Sequence, residues 1–369
     1  MFSFEWQQLV MIAIGFALMY LAIAKNFEPN LLLAMGFGTV LANIPFSSAV
    51  THMVGGHFSE GALSLLFNMG IANELFPLLI FIAVGAMCDF TPLLANPMMF
   101  VFGITAQVGI FLTMGLAILM GFNLHEAASI GIIGAADGPT SIYVSNRFAP
   151  HLLAPISVAA YTYMAMVPLI QPPVIKLMTT KKERQMKMSY AQKELSRGTL
   201  IIFPIAVTLV AGIIAPASLA LIGFLMFGNL LRVSGVTERL SQAAQNELAN
   251  IVTILLGLSI SATMTGEKFV NSTTLLIIGM GLVAFILDTA GGVVSAKIFN
   301  IFLPAHRKVN PMVGASGISA FPMSSRVVQR LGQEADPSNF LLMHAVGANV
   351  AGQIGSVLAG GLLLAYLGG

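Results

Sequence analysis

Of the 369 residues, 57% are hydrophobic and only 9% are Asp, Glu, Lys or Arg, whereas soluble domains carry about 25% charged residues. A soluble domain could not cover so much apolar surface, so the chain is expected to lie in a bilayer. The formal net charge of +2 is too small for nucleic-acid binding, one cysteine (Cys88) excludes a disulfide framework, and the six histidines show no metal-ligand pairing.

The first apolar run, residues 9–24, follows Glu5 and Trp6 without a basic leader and meets Lys25 with no convincing sign of signal cleavage. It is expected to be a retained helix. Further runs at 99–120, 200–215, 219–231 and 274–287 approach the roughly 20 residues that a bilayer-spanning helix needs. Counting part-spans, roughly ten segments are expected in an all-α polytopic fold. Asp89 ends one apolar run and Asp288 another, and interfacial capping accounts for both.

The stretch from Gly131 to Thr140, Gly-Ile-Ile-Gly-Ala-Ala-Asp-Gly-Pro-Thr, is flanked by apolar sequence on both sides. Gly134, Gly138 and Pro139 are expected to break a helix there. Broken backbone at membrane depth is tolerated only where it lines protein or a cavity, and it is where transporters bind ions. Asp137 adds a carboxylate whose burial costs at least ~2.5 kcal/mol, which marks it as functional by default; an interfacial helix cap is the alternative. Downstream, Tyr161 and Tyr163 lie in the apolar run 152–170. Either hydroxyl can meet a buried carboxylate or pass a proton, or, for Tyr161 above all, belong to the aromatic belt.

Seven basic residues (Lys176, Lys181, Lys182, Arg184, Lys187, Lys193, Arg197) against two acids mark residues 176–198 as a cytoplasmic linker. Arg232 and Arg239, then Arg307 and Lys308, fit the same side. The chain thus divides into an N-terminal half, 1–175, and a C-terminal half, 199–369. Within the linker, Met186-Lys187-Met188 copies the tripeptide around the biotinylated lysine of carrier proteins. That lysine sits on a hairpin of a small β domain, and no strand-like alternation surrounds Lys187. No biotin is expected on this chain.

The second polar segment runs from Asn310 to Arg326 and includes Gly314, Gly317 and Ser319. Gly131, Gly134, Pro139 and Ser141 align with Gly314, Gly317, Pro322 and Ser324 at one constant offset. The match falls on the least helix-like part of each half, as expected of inverted repeats with discontinuous helices. This segment offers amide and hydroxyl oxygens but no carboxylate, a donor set that suits sodium once one acid is added. Asn349, among small residues, is either a further oxygen donor or an interhelical hydrogen-bond partner. Arg326 either pairs with an anionic substrate or is a cytoplasmic positive-inside residue.

These motifs, with Asp288-Thr-Ala-Gly-Gly and the run from Glu334-Ala-Asp-Pro through His344 to Gly352, resemble the β subunits of sodium-translocating biotin-dependent decarboxylases. That family acts on oxaloacetate, glutaconyl-CoA, methylmalonyl-CoA or malonate. The resemblance implies a multi-pass subunit of the bacterial inner membrane that takes carboxybiotin from a separate carrier, releases CO₂, consumes a proton and exports sodium. It implies that Asp137 is the acidic sodium and proton site, that Asn310, Ser319 and Asn349 are further sodium ligands, and that Gly314 keeps backbones close. It places Tyr163 on a proton route and Arg326 near carboxybiotin or the ion path. It also implies a biotin carrier and carboxyltransferase α subunit, a small single-span γ subunit and a homotrimeric assembly. Ala135, Ala348 and the serines at 316, 324 and 325 depart from the family pattern, leaving open which serine is a ligand. A sodium-coupled secondary transporter, either a sodium/proton exchanger or a carboxylate symporter, is the alternative that the broken segments fit equally well, and a non-catalytic scaffold is a third.

Overall fold

The computed structural model describes residues 4–54, 57–189, 195–304 and 307–368. Lys193 of the basic linker lies outside them. The described chain is helical apart from a short antiparallel hairpin, His52–Val54 with His57–Ser59.

In chain order the helices are α1 (Trp6–Lys25), α2 (Pro29–Ala42), α3 (Ala62–Gly70), α4 (Leu75–Met87), α5 (Thr91–Ala95), α6 (Met99–Thr105) and α7 (Val108–Leu119). Next come α8 (Leu124–Gly131), α9 (Gly138–Phe148), α10 (Leu153–Ala165), α11 (Val167–Met178), α12 (Lys181–Arg184), α13 (Arg197–Ile214) and α14 (Leu219–Val233). The chain closes with α15 (Glu238–Ala243), α16 (Ala249–Ser261), α17 (Gly266–Phe269), α18 (Ser272–Phe302), α19 (Pro311–Ala315), α20 (Met323–Ala335) and α21 (Leu342–Leu367).

Seven of the described helical segments are long and apolar enough to cross a bilayer, or nine if α3 with α4 and α10 with α11 each form one bent span. Their outward faces are themselves apolar. On α13, Ile202, Leu209 and Ile213 are 64%, 64% and 82% exposed, an arrangement that water disfavours and lipid accepts. Without a hydrophobic drive between helices in lipid, close contact rests on small residues. Gly15 of α1 and Gly36 of α2 face each other so tightly that a Cβ on Gly36 would lie 2.6 Å from the Gly15 carbonyl oxygen. Gly292 of α18 and Gly314 of α19 touch backbone to backbone in the same way.

Polar contacts at the two ends of the bundle give the fold its polarity. At one end the linker meets several elements: Lys176 pairs with Glu334 at 2.9 Å, Glu183 with Lys297 at 3.0 Å, and Arg197 donates to the Ser234 carbonyl. At the other end His151 meets Glu126 at 2.9 Å and His125 meets the Leu367 carbonyl at 3.0 Å. The segment from α8 to α9 enters and leaves at this second end. The segment from α19 to α20 enters and leaves at the linker end, where Asn310 donates to the carbonyls of Arg184 and Met186 at 3.1 and 2.8 Å, and Gln185 to that of Ala335 at 3.0 Å. Two broken hairpins therefore penetrate the bundle from opposite ends.

Two predictions follow from this packing. Replacing Gly36 by Leu should overpack the α1–α2 contact and lower stability by about 1–3 kcal/mol; an unchanged melting temperature in detergent would show that the two helices do not meet there. The second concerns Lys187, which holds Ser338 at 2.7 Å and Asp336 at 3.1 Å and so docks the linker onto the loop after α20. The Ser338 hydroxyl and amide, with Lys187, draw the Asp336 carboxyl down to about 2, against about 3.9 when unfolded. Stabilisation from a lowered carboxyl is fully present above the unfolded value and is lost as pH falls through the folded one. Pepsin, active at both values, should leave residues 185–189 protected at pH ~4 and cut them as the pH approaches ~2, and Asp336→Asn should remove the pH dependence.

Candidate functional site

The first hairpin is set by local chemistry. Asn123 opens α8 with a capping box: its side chain accepts from the Glu126 amide at 2.9 Å, and Glu126 accepts from the Asn123 amide at 3.0 Å. The helix tightens to a 3₁₀ turn over Ile132–Ala135 and stops at Ala136, which sits in the left-handed region at φ 52°. Such a conformation is uncommon for a residue with a side chain and points to a constrained site. Asp137 then caps α9, and Pro139 falls in its first turn, where its missing N–H costs nothing.

Asp137 is 4% exposed. Its carboxylate accepts from the Thr140 hydroxyl at 2.7 Å, the Thr140 amide at 3.3 Å and, from α21, the Ser356 hydroxyl at 2.8 Å. A carboxylate has about four lone-pair sites, so acceptor capacity remains for a cation or a proton.

The second hairpin ends in the tip 316–322, and that tip reaches the first. The Ser319 amide donates to the Ala135 carbonyl at 2.9 Å, joining the two breaks directly. From α21, Asn349 donates to the Ile318 carbonyl at 2.6 Å, Gln353 donates to the Ser319 carbonyl, and the Gly352 carbonyl accepts from the Ser319 hydroxyl at 2.8 Å. Gln107, at the junction of α6 and α7, donates to the Gly317 carbonyl at 3.2 Å, and Gln171 of α11 donates to that of Ala315 at 2.8 Å. Carbonyls that a helix break would otherwise leave unpaired in an apolar interior are thus met by side-chain amides.

A cavity of about 190 Å³ lies against these tips. One wall is Asp137, Pro139, Tyr161, Ser319, Phe321, Pro322 and Gln353; the other comes from α2, α4 and α16 and includes Val84, Met87 and Thr253. Met87 ends α4 beside Arg232, which donates to its carbonyl at 2.8 Å, and the α14 end that carries Arg232 is tied to the linker through Arg197 and Ser234. The cavity therefore extends from the tips towards the linker end.

Of the residues singled out in the sequence, Asp137 and Ser319 share this cavity. Gly138 lies under the Tyr161 ring, which a Cβ would strike, while Gly134 faces Asp288 and Gly317 faces the Phe102 carbonyl. Tyr161, left open above, lines the cavity, and its buried hydroxyl has no hydrogen-bond partner. Asn349 holds the second tip, and its Oδ1 is buried without a partner. Three residues lie elsewhere. Asn310 caps α19 at the linker end, Tyr163 donates to the Ile278 carbonyl of α18 at 2.5 Å, and Arg326 is exposed on α20, one turn beyond Pro322.

The capping reading fits Asp89 in part, since it accepts from the Thr91 amide at 2.9 Å just ahead of α5, whose N-cap position is Phe90. It does not hold for Asp288. Helix α18 continues to Phe302, so Asp288 lies mid-helix, fully buried, with its carboxylate against the backbone of Gly109 and Ile110 and no hydrogen bond of good geometry. The apolar run ends there, but the small residues that follow continue the helix. Thr140, Ser356 and Gln353 were not singled out. The spacing of Asn349, Gln353 and Ser356, four and then three residues, puts all three on one helical face and is a readable signal.

An apolar, all-helical bundle in which two broken hairpins from opposite ends meet beside one buried carboxylate defines a multi-pass membrane protein of the discontinuous-helix class. The chain belongs to the Na⁺-transporting oxaloacetate decarboxylase β-subunit family, whose profile matches residues 7–367. It is 50% identical to the methylmalonyl-CoA decarboxylase subunit β of Veillonella parvula, covering 99% of this chain and 94% of that one. Identity is 49% to the glutaconyl-CoA decarboxylase subunit β of Acidaminococcus fermentans, over 100% and 95% of the two chains. It is 43% to the oxaloacetate decarboxylase β chain of Klebsiella pneumoniae, over 98% and 95%.

The cavity's direction is testable by labelling. With Cys88 replaced by Ser, a cysteine at Thr253 should react with a membrane-impermeant thiol reagent applied from the linker side and stay unmodified from the other. Reaction only from the other side would reverse the assignment.

Proposed function

We propose that this chain is the β subunit of a biotin-dependent decarboxylase of the bacterial inner membrane. It decarboxylates carboxybiotin presented by a partner carrier and couples that reaction to sodium export. The observation that carries the reading is Asp137, a buried carboxylate with unused acceptor capacity on a cavity wall where two broken hairpins meet, in a chain that matches this family along its whole length.

Sodium enters from the linker side and binds Asp137, with neutral oxygens from Ser319 and from the Asn349 side chain, whose Oδ1 has no other partner. Asn310 acts at the linker end, where its bonds to residues 184 and 186 tie the second hairpin to the linker. Arg326, exposed and without a side-chain partner among the described residues, offers its planar fork to the carboxylate of carboxybiotin. Decarboxylation breaks the bond between the carboxyl carbon and the ureido nitrogen. CO₂ leaves, and that nitrogen takes up a proton. Tyr163 lies on the proton's route, and exchange of sodium for a proton on Asp137 supplies the coupling. Each sodium moved against the membrane potential costs about 2.3 kcal/mol per 100 mV, so the site must bind sodium tightly on the linker side and release it on the other.

The halves 1–175 and 199–369 act as inverted repeats around this site. The shared offset of the two polar segments and the opposite entry of the two hairpins support this. Biotin is carried by a partner, not at Lys187, whose amine is held by Ser338 and Asp336. The partners are a carrier and carboxyltransferase α subunit and a single-span γ subunit, around a β homotrimer. A sodium-coupled transporter is the second reading, favoured by the opposed hairpins alone.

Reconstitution of the purified chain separates the two readings: sodium-dependent release of CO₂ from free carboxybiotin supports the decarboxylase, and sodium flux without it supports the transporter. In the assembled complex, Asp137→Asn should abolish sodium-dependent decarboxylation at every sodium concentration while the subunits still assemble. Full activity in that variant would sink the proposal. Arg326→Lys should raise the KM for carboxybiotin about tenfold, since a point charge replaces a bidentate fork.

A further inference from the structure

The cavity beside Asp137 holds a second carboxylate. Glu28 stands at the start of α2 and lines the same cavity as Asp137. Helix α2 runs beside α16 with Asn30 at Asn250 and Asn43 at Met264, beyond the end of α16 away from Arg232 and the linker, so Glu28 is at the end of α2 nearer the linker. It occupies the N-cap position, yet its side chain makes no capping hydrogen bond, so it does not serve the helix there. The residue is half-buried, its backbone carbonyl accepts from the Leu31 and Leu32 amides, and its carboxylate has no hydrogen bond or ion pair among the described residues, Lys25 included. Its backbone is left-handed at φ 35°, which a residue with a side chain adopts only under constraint. Independently, the Tyr161 hydroxyl, on a residue 5% exposed and lining the same cavity, has no partner. The rest of the lining between the two acids is largely apolar: Leu31, Ile80, Val84, Met164 and Leu256, with Thr253 as a further hydroxyl.

We propose that Glu28 is a capture site for the monovalent cation, a linker-side station from which the ion passes along the Tyr161 and Thr253 hydroxyls to Asp137. The physical reason is desolvation. A cation leaving water for an apolar-walled cavity loses its hydration before it reaches Asp137, and an unpaired carboxylate at the mouth offsets that loss and raises the local cation concentration. Asp137 alone would draw ions through a stretch with no charge at its entrance. The inference rests on the sodium-pump reading above and adds a residue to it.

The test is the sodium dependence of decarboxylation by the whole complex in proteoliposomes, with sodium varied on the linker side. Glu28→Gln should raise the half-saturating sodium concentration about tenfold, the low end of what a charged cleft contributes, while the maximal rate at saturating sodium stays within about twofold. Glu28→Asp should fall between the two, and choline chloride should narrow the gap between parent and Glu28→Gln by screening the carboxylate. Tyr161→Phe, which keeps the ring over Gly138, should also raise the half-saturating concentration, and it keeps the proposal testable if the Glu28 variants fold poorly. A Glu28→Gln curve that overlays the parent's overturns the proposal, as does a loss of maximal rate with unchanged half-saturation. A parent complex indifferent to sodium removes the pump reading and this inference together, whereas a sodium-dependent parent with an unchanged Glu28→Gln removes this inference alone.

Discussion

The contact between the Ser319 amide and the Ala135 carbonyl is where two interrupted helices satisfy each other inside the bundle. In an apolar interior every unpaired backbone group costs several kcal/mol, so a break in one helix needs partners from somewhere. Here the second break supplies one, and amide side chains on three neighbouring elements supply others: Gln107, Gln171 and the Asn349–Gln353 face of α21. The tips are therefore held by polar bonds to their surroundings and are not free loops, and that fixed frame positions Asp137.

This frame also explains the glycine pattern. The tips reach their partners only because neighbouring backbones approach closely, and Gly292 against Gly314 and Gly317 against the Phe102 carbonyl are contacts that leave no room for a Cβ. Gly138 lets the Tyr161 ring lie on the start of α9, which brings the tyrosine's hydroxyl to the same cavity as Asp137. Small residues that read in sequence as generic membrane packing thus set distances at the site.

Much of the fold was legible because its causes are local. Long apolar runs give spanning helices, the basic cluster gives one end of the bundle, and Gly134, Asp137, Gly138 and Pro139 announce a break. The pairing of the two breaks also showed, as an offset between small residues. What did not show depends on three-dimensional placement. Asn310 and Asp137 read as members of one site, but a hairpin has a base and a tip, and Asn310 is at the base, bonded to the linker. Asp288 read as the end of an apolar run because hydropathy drops there, although Gly291 and Gly292 continue the helix and fit it against its neighbours. Ser356 and Glu28 lie far from either polar segment in sequence and reach the site only because α21 and α2 pass beside it. The face formed by Asn349, Gln353 and Ser356 could have been read from helical spacing alone; nothing local to Glu28 distinguishes it from an ordinary residue before a helix-starting proline.

The two hairpins are unequal, and the inequality gives the site its direction. The first brings the carboxylate and enters from the end opposite the linker. The second brings neutral oxygens and enters beside the basic linker, with Arg326 one turn past its tip. Asn310 is fully buried at the base of the second hairpin and ties it to linker residues 184 and 186, so displacement of the linker acts on that hairpin directly. Through the contacts of Ser319 with Ala135 and Gly352, and of Gln353 with Ser319, any shift of that hairpin is passed to the wall that holds Asp137. The linker end and Asp137 are thus joined by one short chain of hydrogen bonds, which is what the proposed coupling of carboxybiotin decarboxylation to a sodium ion requires.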